Sequence, residues 1–345
     1  MIGRIPRWFL IVGIVTAVFG CDNVSWGGMD LRLEGPPGDS LAPSPGAPGS
    51  ESDAGPQRIE YGPLLYAGMR QGDSALVVPV AELVEGGLRP LPTGDAATQL
   101  ATQVLEERLS AGRKLTLFDQ GSRIGTLTVS SSLGITADYC PARAQALGPL
   151  ELIPSASEAQ RFLALEEDRG LNWPRGRFQI PTVERAHRTA AQNLGGEALN
   201  QLRAPWPTGL QNIRQDLQVF QLTYGEGLSV VATFLYQDQM VVGPAPDASY
   251  SLLILGEPRG NRFQRTFTWF RPVEEEGKGA PRFFSWMDWD GDGQEEILLE
   301  VLGTENRWWA ALNREGGSWS LSFQDACGAP EDGASTEEAL LDRPR

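Results

Sequence analysis

Asp288, Asp290, Asp292 and Glu296 stand at positions 1, 3, 5 and 9 of the segment Asp288-Trp289-Asp290-Gly291-Asp292-Gly293-Gln294-Glu295-Glu296, with a glycine at position 6. Calcium takes six to eight hard oxygen ligands in a flexible geometry. Alternate carboxylates, joined by the backbone carbonyl of Gln294 at position 7, can wrap such an ion while the glycine permits the sharp turn. For a chain of this composition and length, D-x-D-x-D-G arises by accident in about one sequence in a hundred. The competing reading is a solvated acidic turn that holds no ion.

The elements on either side decide what kind of loop this is. A helix-loop-helix calcium site needs a bidentate Glu at position 12 and helical flanks. Position 12 is Leu299, and the flanking runs 282–287 and 297–302 are short, aromatic or aliphatic, and rich in strand formers. The loop is therefore expected to join two strands. On these residues the segment resembles the calcium hairpin of FG-GAP or VCBS-type β-propeller repeats over about residues 281 to 325. The resemblance implies calcium held by Asp288, Asp290, Asp292, the Gln294 carbonyl and Glu296. Over those residues no combined Phe-Gly...Gly-Ala-Pro signature accompanies it, and Glu296 stands where Asp is commoner.

Other chemistry is sparse. His187 is the single histidine, and with Glu184 and Arg188 beside it a solvated helix position is expected rather than a general base. No H-E-x-x-H, C-x-x-C, phosphate loop or G-x-S-x-G occurs. Gly38-Asp39-Ser40-Leu41 spells a hydrolase nucleophile block, but it lies in a Pro/Gly-rich stretch without a histidine partner. Glu166-Glu167 and Glu274-Glu275-Glu276 read as exposed charge. No catalytic residue is assigned. A glycan or polymer hydrolase is the alternative class, because its two carboxylates need no fixed sequence spacing.

Residues 1–20 read as a signal peptide. Arg4 and Arg7 precede a twelve-residue apolar run from Trp8 to Phe19, too short to cross a hydrocarbon layer of about 30 Å as a helix. Val18-Phe19-Gly20-Cys21 resembles the lipobox of bacterial lipoproteins. That resemblance implies cleavage before Cys21, lipidation of its thiol, and a place in the bacterial cell envelope on the periplasmic or extracellular face. An ordinary secretory signal with an incidental cysteine is the other reading. Residues 21–57, rich in Pro, Gly and Ser, have the composition of a disordered tether. Net charge is −15, and loss of residues 1–20 removes two arginines and no acid, leaving −17. Nucleic acid and anionic headgroups are therefore excluded as partners of the folded part. Membrane attachment would rest on the lipid.

With Cys21 reserved for lipid, Cys140 and Cys327 remain as an even pair in an oxidising compartment. A disulfide between them would stabilise by ~5 kcal/mol on the chain-entropy model. Two buried thiols are the alternative.

Residues 58–207 are expected to form an α+β domain. Strands are predicted at 59–67, 75–80, 114–119 and 124–130, and helices at 96–109 (with Asp95 as N-cap), 157–168 and 183–202. Pro205 and Pro207 mark a boundary. Residues 208–327 then read as an antiparallel β meander, propeller-blade-like or a sandwich, carrying the calcium hairpin. Strands at 217–224, 228–237, 249–256 and 262–271 are followed in the same order by 282–287, 297–302, 307–312 and 318–323, a weak internal repeat whose first loop, at Gly225-Glu226-Gly227, lacks the acids. Residues 328–345 are expected to be a disordered tail. Six tryptophans crowd into the repeats. Since the adjacent Trp308 and Trp309 must point to opposite faces, one of them is a candidate to reach outward or into the neighbouring domain. The reading as a whole is a lipid-anchored envelope protein whose calcium-stabilised β part binds or scaffolds a protein or glycan ligand.

Overall fold

Eight strands of the first half form one antiparallel sheet: β1 (Leu64–Gln71), β2 (Ser74–Val84), β3 (Gly87–Arg89), β4 (Lys114–Asp119), β5 (Ser122–Thr128), β6 (Ser131–Thr136), β7 (Arg143–Leu152) and β8 (Arg161–Glu166). Their order is β3-β2-β1-β8-β4-β5-β7-β6, and β7 pairs back onto β2 from Ser74 opposite Pro149 to Val77 opposite Ala146. The ring β2-β1-β8-β4-β5-β7 is thereby closed into a barrel, which removes the free edges of its members. Tyr66, Val77, Leu117 and Phe162 fill it. Helix α1 (Gly94–Glu107) packs on β6 and β7 and adds Leu100, Ala101 and Val104 to the same core. The computed structural model describes residues 58–170, 178–223 and 225–328, all within one unit, Gln57–Arg345. The signal segment, the tether with Cys21 and the Gly38–Leu41 block, and the tail beyond 328 lie outside the described residues.

After the one-turn helix α2 (Glu167–Gly170) and the long helix α3 (Arg185–Leu202), the chain builds two four-stranded antiparallel meanders. The first is β9 (Arg214–Gln221), β10 (Leu228–Tyr236), β11 (Tyr250–Arg259) and β12 (Arg262–Pro272). Helix α4 (Val273–Glu276) leads into the second, which is β13 (Ala280–Met287), β14 (Glu296–Leu302), β15 (Arg307–Glu315) and β16 (Ser318–Gln324). The eight strands expected here are all present, in the expected order. The fold is α+β-like and dominated by antiparallel sheet.

The layers stack on shared apolar faces. One face of β13–β16, with Phe284, Leu298 and Trp309, covers the outside of the barrel at Leu65, Val78 and Leu163. The opposite face, with Ile297, Leu299 and Trp308, meets Phe220, Val231 and Leu253 of the first meander. Helix α3 then covers the far face of that meander, placing Ala191, Leu194 and Ala198 on Ala232, Phe234 and Leu252. Thus α3 precedes Pro205 and Pro207 in sequence yet packs on the strands that follow them. β14 lies in the middle of the stack and is buried at every residue, as expected for a strand covered on both faces. On β13, Phe284 is an extra residue between the Phe283–Leu299 and Ser285–Leu298 pairs, and this bulge lets Phe283 and Trp286 share one face.

Several expectations are corrected. Residues 161–166 form strand β8, not part of a helix over 157–168, with a single 3-10 turn at Pro154–Ala156 before it. Arg-Phe-Leu-Ala-Leu-Glu is buried on both faces, Phe162 inside the barrel and Leu163 outside it. Such a continuous apolar run does not reveal its period. Thr93, not Asp95, occupies the cap position of α1, and Asp95 lies in the first turn, where a negative charge still favours the helix dipole. His187 is buried instead of solvated. Its Nδ1 accepts the amide of Glu184 at 3.0 Å at the start of α3, and its ring meets Phe263 edge-on. Glu166 is half-buried and accepts the Tyr66 hydroxyl at 3.1 Å.

The β4–β5 turn docks the barrel onto β13. Gln120 and Gly121 both have positive φ, 50° and 65°, the pattern of a two-residue hairpin turn that glycine favours. The Gly121 amide donates to the Trp286 carbonyl at 3.0 Å, and Trp286 Nε1 donates to Gln120 Oε1 at 3.1 Å. Beside it Asp119 Oδ1 accepts the Ser285 hydroxyl at 3.1 Å and the Gln120 amide at 2.9 Å. Burial pushes the Asp119 carboxyl up to about 6 against the hydrogen bonds that favour its charge. Because the folded value exceeds the unfolded one, the native state holds its proton more tightly. The ionised group opposes folding fully above pH 6, and the penalty fades as pH falls toward 4. Asp119→Asn keeps both acceptor bonds and removes the charge, so it should stabilise by about 2 to 3 kcal/mol at pH 7. Urea midpoints at pH 7 and pH 4 check this: the gain should be present at the first and shrink at the second.

Candidate metal centre

β13 and β14 pair from Ala280 opposite Leu302 to Met287 opposite Glu296, and the acidic loop spans the end of that ladder. Gly291 and Gly293 have φ of 80° and 89°, a region open to glycine without a Cβ penalty. These two glycines let the loop coil inward. Its amides then aim the carboxylates: Asp288 accepts Gly291 N at 2.7 Å and Gly293 N at 3.0 Å, Asp290 accepts Asp292 N at 3.1 Å, and Asp292 accepts Gln294 N at 2.7 Å. Glu296, the first residue of β14, accepts Trp289 N at 3.0 Å. Trp289 itself is buried against the barrel-facing core and anchors the loop.

As a result Asp288, Asp290, Asp292 and Glu296 each present one oxygen, all within 4.8 Å of one another. Oxygens on opposite sides of a calcium ion stand about 5 Å apart, twice the metal–oxygen distance. The donor set is all oxygen, which suits calcium, magnesium or manganese and not the softer metals that prefer sulfur or imidazole. An acidic cluster able to hold a metal ion is therefore in place. Gln294 is exposed in the loop, its amide directed to Asp292.

The electrostatics match this grouping. Burial, then the charges of Asp290, Asp288 and Asp292, push the Glu296 carboxyl up to about 9 against the opposing Trp289 hydrogen bond. Asp288 and Asp290 are also raised, by burial first and then by their acidic neighbours, against the amide bonds that favour their charge. Like charges are held together by the fold, and a cation would relieve that repulsion.

Glu295 was legible only as one more acid. It is 8 % exposed, and its Oε1 accepts the Thr223 amide at 2.7 Å in the sister loop between β9 and β10. Successive strand residues face opposite ways, so Glu296 turns to the cluster while Glu295 turns to the first meander.

Cys140 and Cys327 lie at disulfide distance, with Cα atoms 5.8 Å apart. Next to them Arg143 and Asp325, both fully buried, form an ion pair at 2.6 Å. Sequence reading missed this pair, since 182 residues separate its members and no local signal couples them. The six tryptophans of the two meanders, Trp308 and Trp309 among them, are all buried, from Trp309 at 0 % to Trp269 at 8 % exposure. Trp308 and Trp309 do face opposite ways, but each meets another layer of the protein.

A groove of about 210 Å³ lined by Arg70, Asp73, Leu150, Leu152 and Ser157 holds a single carboxylate. The small cavity between α1 and β7, lined by residues such as Leu91, Leu100 and Val104, holds none. Neither supplies the two facing carboxylates that glycoside hydrolysis uses. No protein-family model matches the chain, and neither a curated protein nor a solved structure matches it.

Proposed function

We propose that this chain is a lipid-anchored envelope protein whose β meanders, stapled by calcium, form a binding or scaffolding module. The convergence of Asp288, Asp290, Asp292 and Glu296 carries the reading. In it, the Gln294 carbonyl adds a fifth ligand, as in the hairpin of FG-GAP or VCBS-type repeats. With Leu299 buried in β14 where a sensor loop needs its bidentate Glu, the site acts as a staple and does not open helices. Calcium outside the cytoplasm is abundant enough to fill a site with a Kd of about 10⁻⁴ to 10⁻³ M.

At a calcium concentration tenfold above Kd, binding stabilises the fold by about 1.4 kcal/mol. For a folded region of this size that raises Tm by about 2 to 3 °C. Melting wild type and Asp290→Ala with calcium and with chelator tests this. Only wild type in calcium should show the rise, and equal melting of wild type in calcium and chelator would remove the metal from the account.

Attachment in this reading comes from acylation of Cys21 after cleavage of the signal segment, and the net charge of −15 argues against a basic membrane-binding face or a nucleic-acid partner. Fatty-acid labelling of the chain expressed in a bacterial host should be present in wild type and lost in Cys21→Ser. Label retained by the variant would contradict the anchor.

A further inference from the structure

The turn after β16, Asp325 to Gly328, touches the barrel and both meanders. Asp325 Oδ2 accepts Arg143 Nη2 of β7 at 2.6 Å and the Trp309 amide of β15 at 2.9 Å, and the Asp325 amide donates to the Trp309 carbonyl at 3.0 Å. The Gly328 carbonyl accepts Arg271 Nη1 of β12 at 3.0 Å, and the Arg271 guanidinium lies over the Trp308 ring at 5.5 Å. Gly328 also sits so close to Trp308 that an added Cβ would stand 2.2 Å from its Nε1. Between these anchors Cys327 is exposed, and its partner Cys140 precedes β7 with its amide on the Arg307 carbonyl at 2.8 Å.

The groups beneath this turn are poorly satisfied. Arg143 Nε, Asp325 Oδ1, Trp308 Nε1 and Trp309 Nε1 are buried without a protein hydrogen-bond partner. Burial raises the Asp325 carboxyl even though the Arg143 charge opposes it. A buried ion pair with open hydrogen-bonding positions gains little over its hydrated parts. The covalent tether then decides how often the turn is seated, by holding its groups at high effective concentration.

We propose that Cys140–Cys327 is a redox-operated clasp: closed, it seats Asp325–Gly328 across the barrel and both meanders, and reduction by a dithiol releases that turn while the layers stay folded. The chemistry is ordinary exchange. One thiolate of the dithiol attacks Sγ of the exposed residue Cys327, breaking the Cys140–Cys327 bond and releasing Cys140 as a thiolate that takes up a proton. The second thiol of the reagent, on losing its proton, attacks the mixed disulfide, so Cys327 leaves as a thiol. The protein gains two electrons and two protons, and the dithiol becomes its own disulfide.

Hydrogen exchange followed residue by residue on the oxidised full chain, and again after dithiothreitol, tests the clasp. Exchange at the amides of Asp325, Gly328 and Trp309 should quicken by about a hundredfold, the lower range of what a tether contributes. After reduction the interior amides Val231 and Leu253 of the first meander should remain far slower than the amides of the turn, even with the cross-link's contribution to global stability lost, and reoxidation should restore the original pattern. Cys140→Ser with Cys327→Ser should show the released turn without any reductant. Loss of protection in β10 and β11 down to the level of the turn would mean general unfolding and overturn the proposal. So would unchanged rates at all sites, or unfolding of the reduced chain.

Discussion

Asp325→Ala should lose about 3 to 5 kcal/mol of stability, because it leaves Arg143 as a buried charge with no counter-ion. Arg143 and Asp325 side chains are both 0 % exposed, so water cannot take over the lost contact without opening the junction. The same change strands the Trp309 amide, which donates to Asp325 Oδ2 at 2.9 Å. Among the described residues one other acceptor holds the Arg143 guanidinium, the Val80 carbonyl at 2.9 Å. Replacing both partners by apolar residues of similar volume, Arg143→Met with Asp325→Leu, should recover most of the loss, since no unpaired charge remains. Denaturant midpoints for the single and double variants separate the two effects. A single variant within 1 kcal/mol of wild type would show that the pair is not sealed from water.

Trp309→Ala should cost a similar amount, about 3 to 5 kcal/mol, through lost burial and the cavity left behind. Trp309 is fully buried where the second meander covers the barrel. Its ring stacks on Tyr139 at 5.5 Å and meets Phe284 edge-on at 5.0 Å, and neither neighbour can move in to fill the gap without leaving its own strand contacts. Trp206, at 54 % exposure, supplies the contrast. Its replacement by Ala should change stability by no more than about 0.5 kcal/mol. Thermal and denaturant melts of the two variants measured together check the difference. Similar losses at both positions would contradict the layered core described above.

How much could be read from residues alone depended on whether the signal was local. The eight later strands were legible because each has short apolar alternation between turn residues, as in Trp319, Leu321 and Phe323 between serines. The β4–β5 hairpin was legible from the strands expected at 114–119 and 124–130 with Gln120-Gly121-Ser122-Arg123 between them, although the turn itself is only Gln120-Gly121. The acidic loop was legible because its carboxylates recur at fixed spacing within nine residues. β8 was not, because a strand buried on both faces carries no period. β7 was missed for a related reason: its Ala-rich and Gly-containing run has little strand propensity, and long-range pairing with β2, β5 and β6 holds it in place. The roles of Glu295, Asp325 and Arg143 were hidden because each is set by a partner tens to hundreds of residues away.

Those hidden contacts show how the two ends of the second meander differ. At one end the acidic loop is tied to the first meander through Glu295 and Thr223, and the neighbouring Trp286 is tied to the barrel through Gln120. At the other end Arg307 pairs with Glu300 at 3.1 Å and accepts the Cys140 amide on its carbonyl, close to the disulfide. β14 runs between them, from Glu296 in the acidic cluster to Leu302, and is buried throughout. A cation at the loop and a covalent bond at the far end would thus fasten the same sheet at both edges.

Calorimetric titration of calcium into the chelator-stripped protein tests the central claim most directly. The account predicts one site with a Kd of about 10⁻⁴ to 10⁻³ M, weaker binding of magnesium because four fixed carboxylates suit the larger and more flexible ion, and loss of the heat signal in Asp290→Ala. No calcium binding at millimolar concentration, or equal binding by Asp290→Ala, would contradict it.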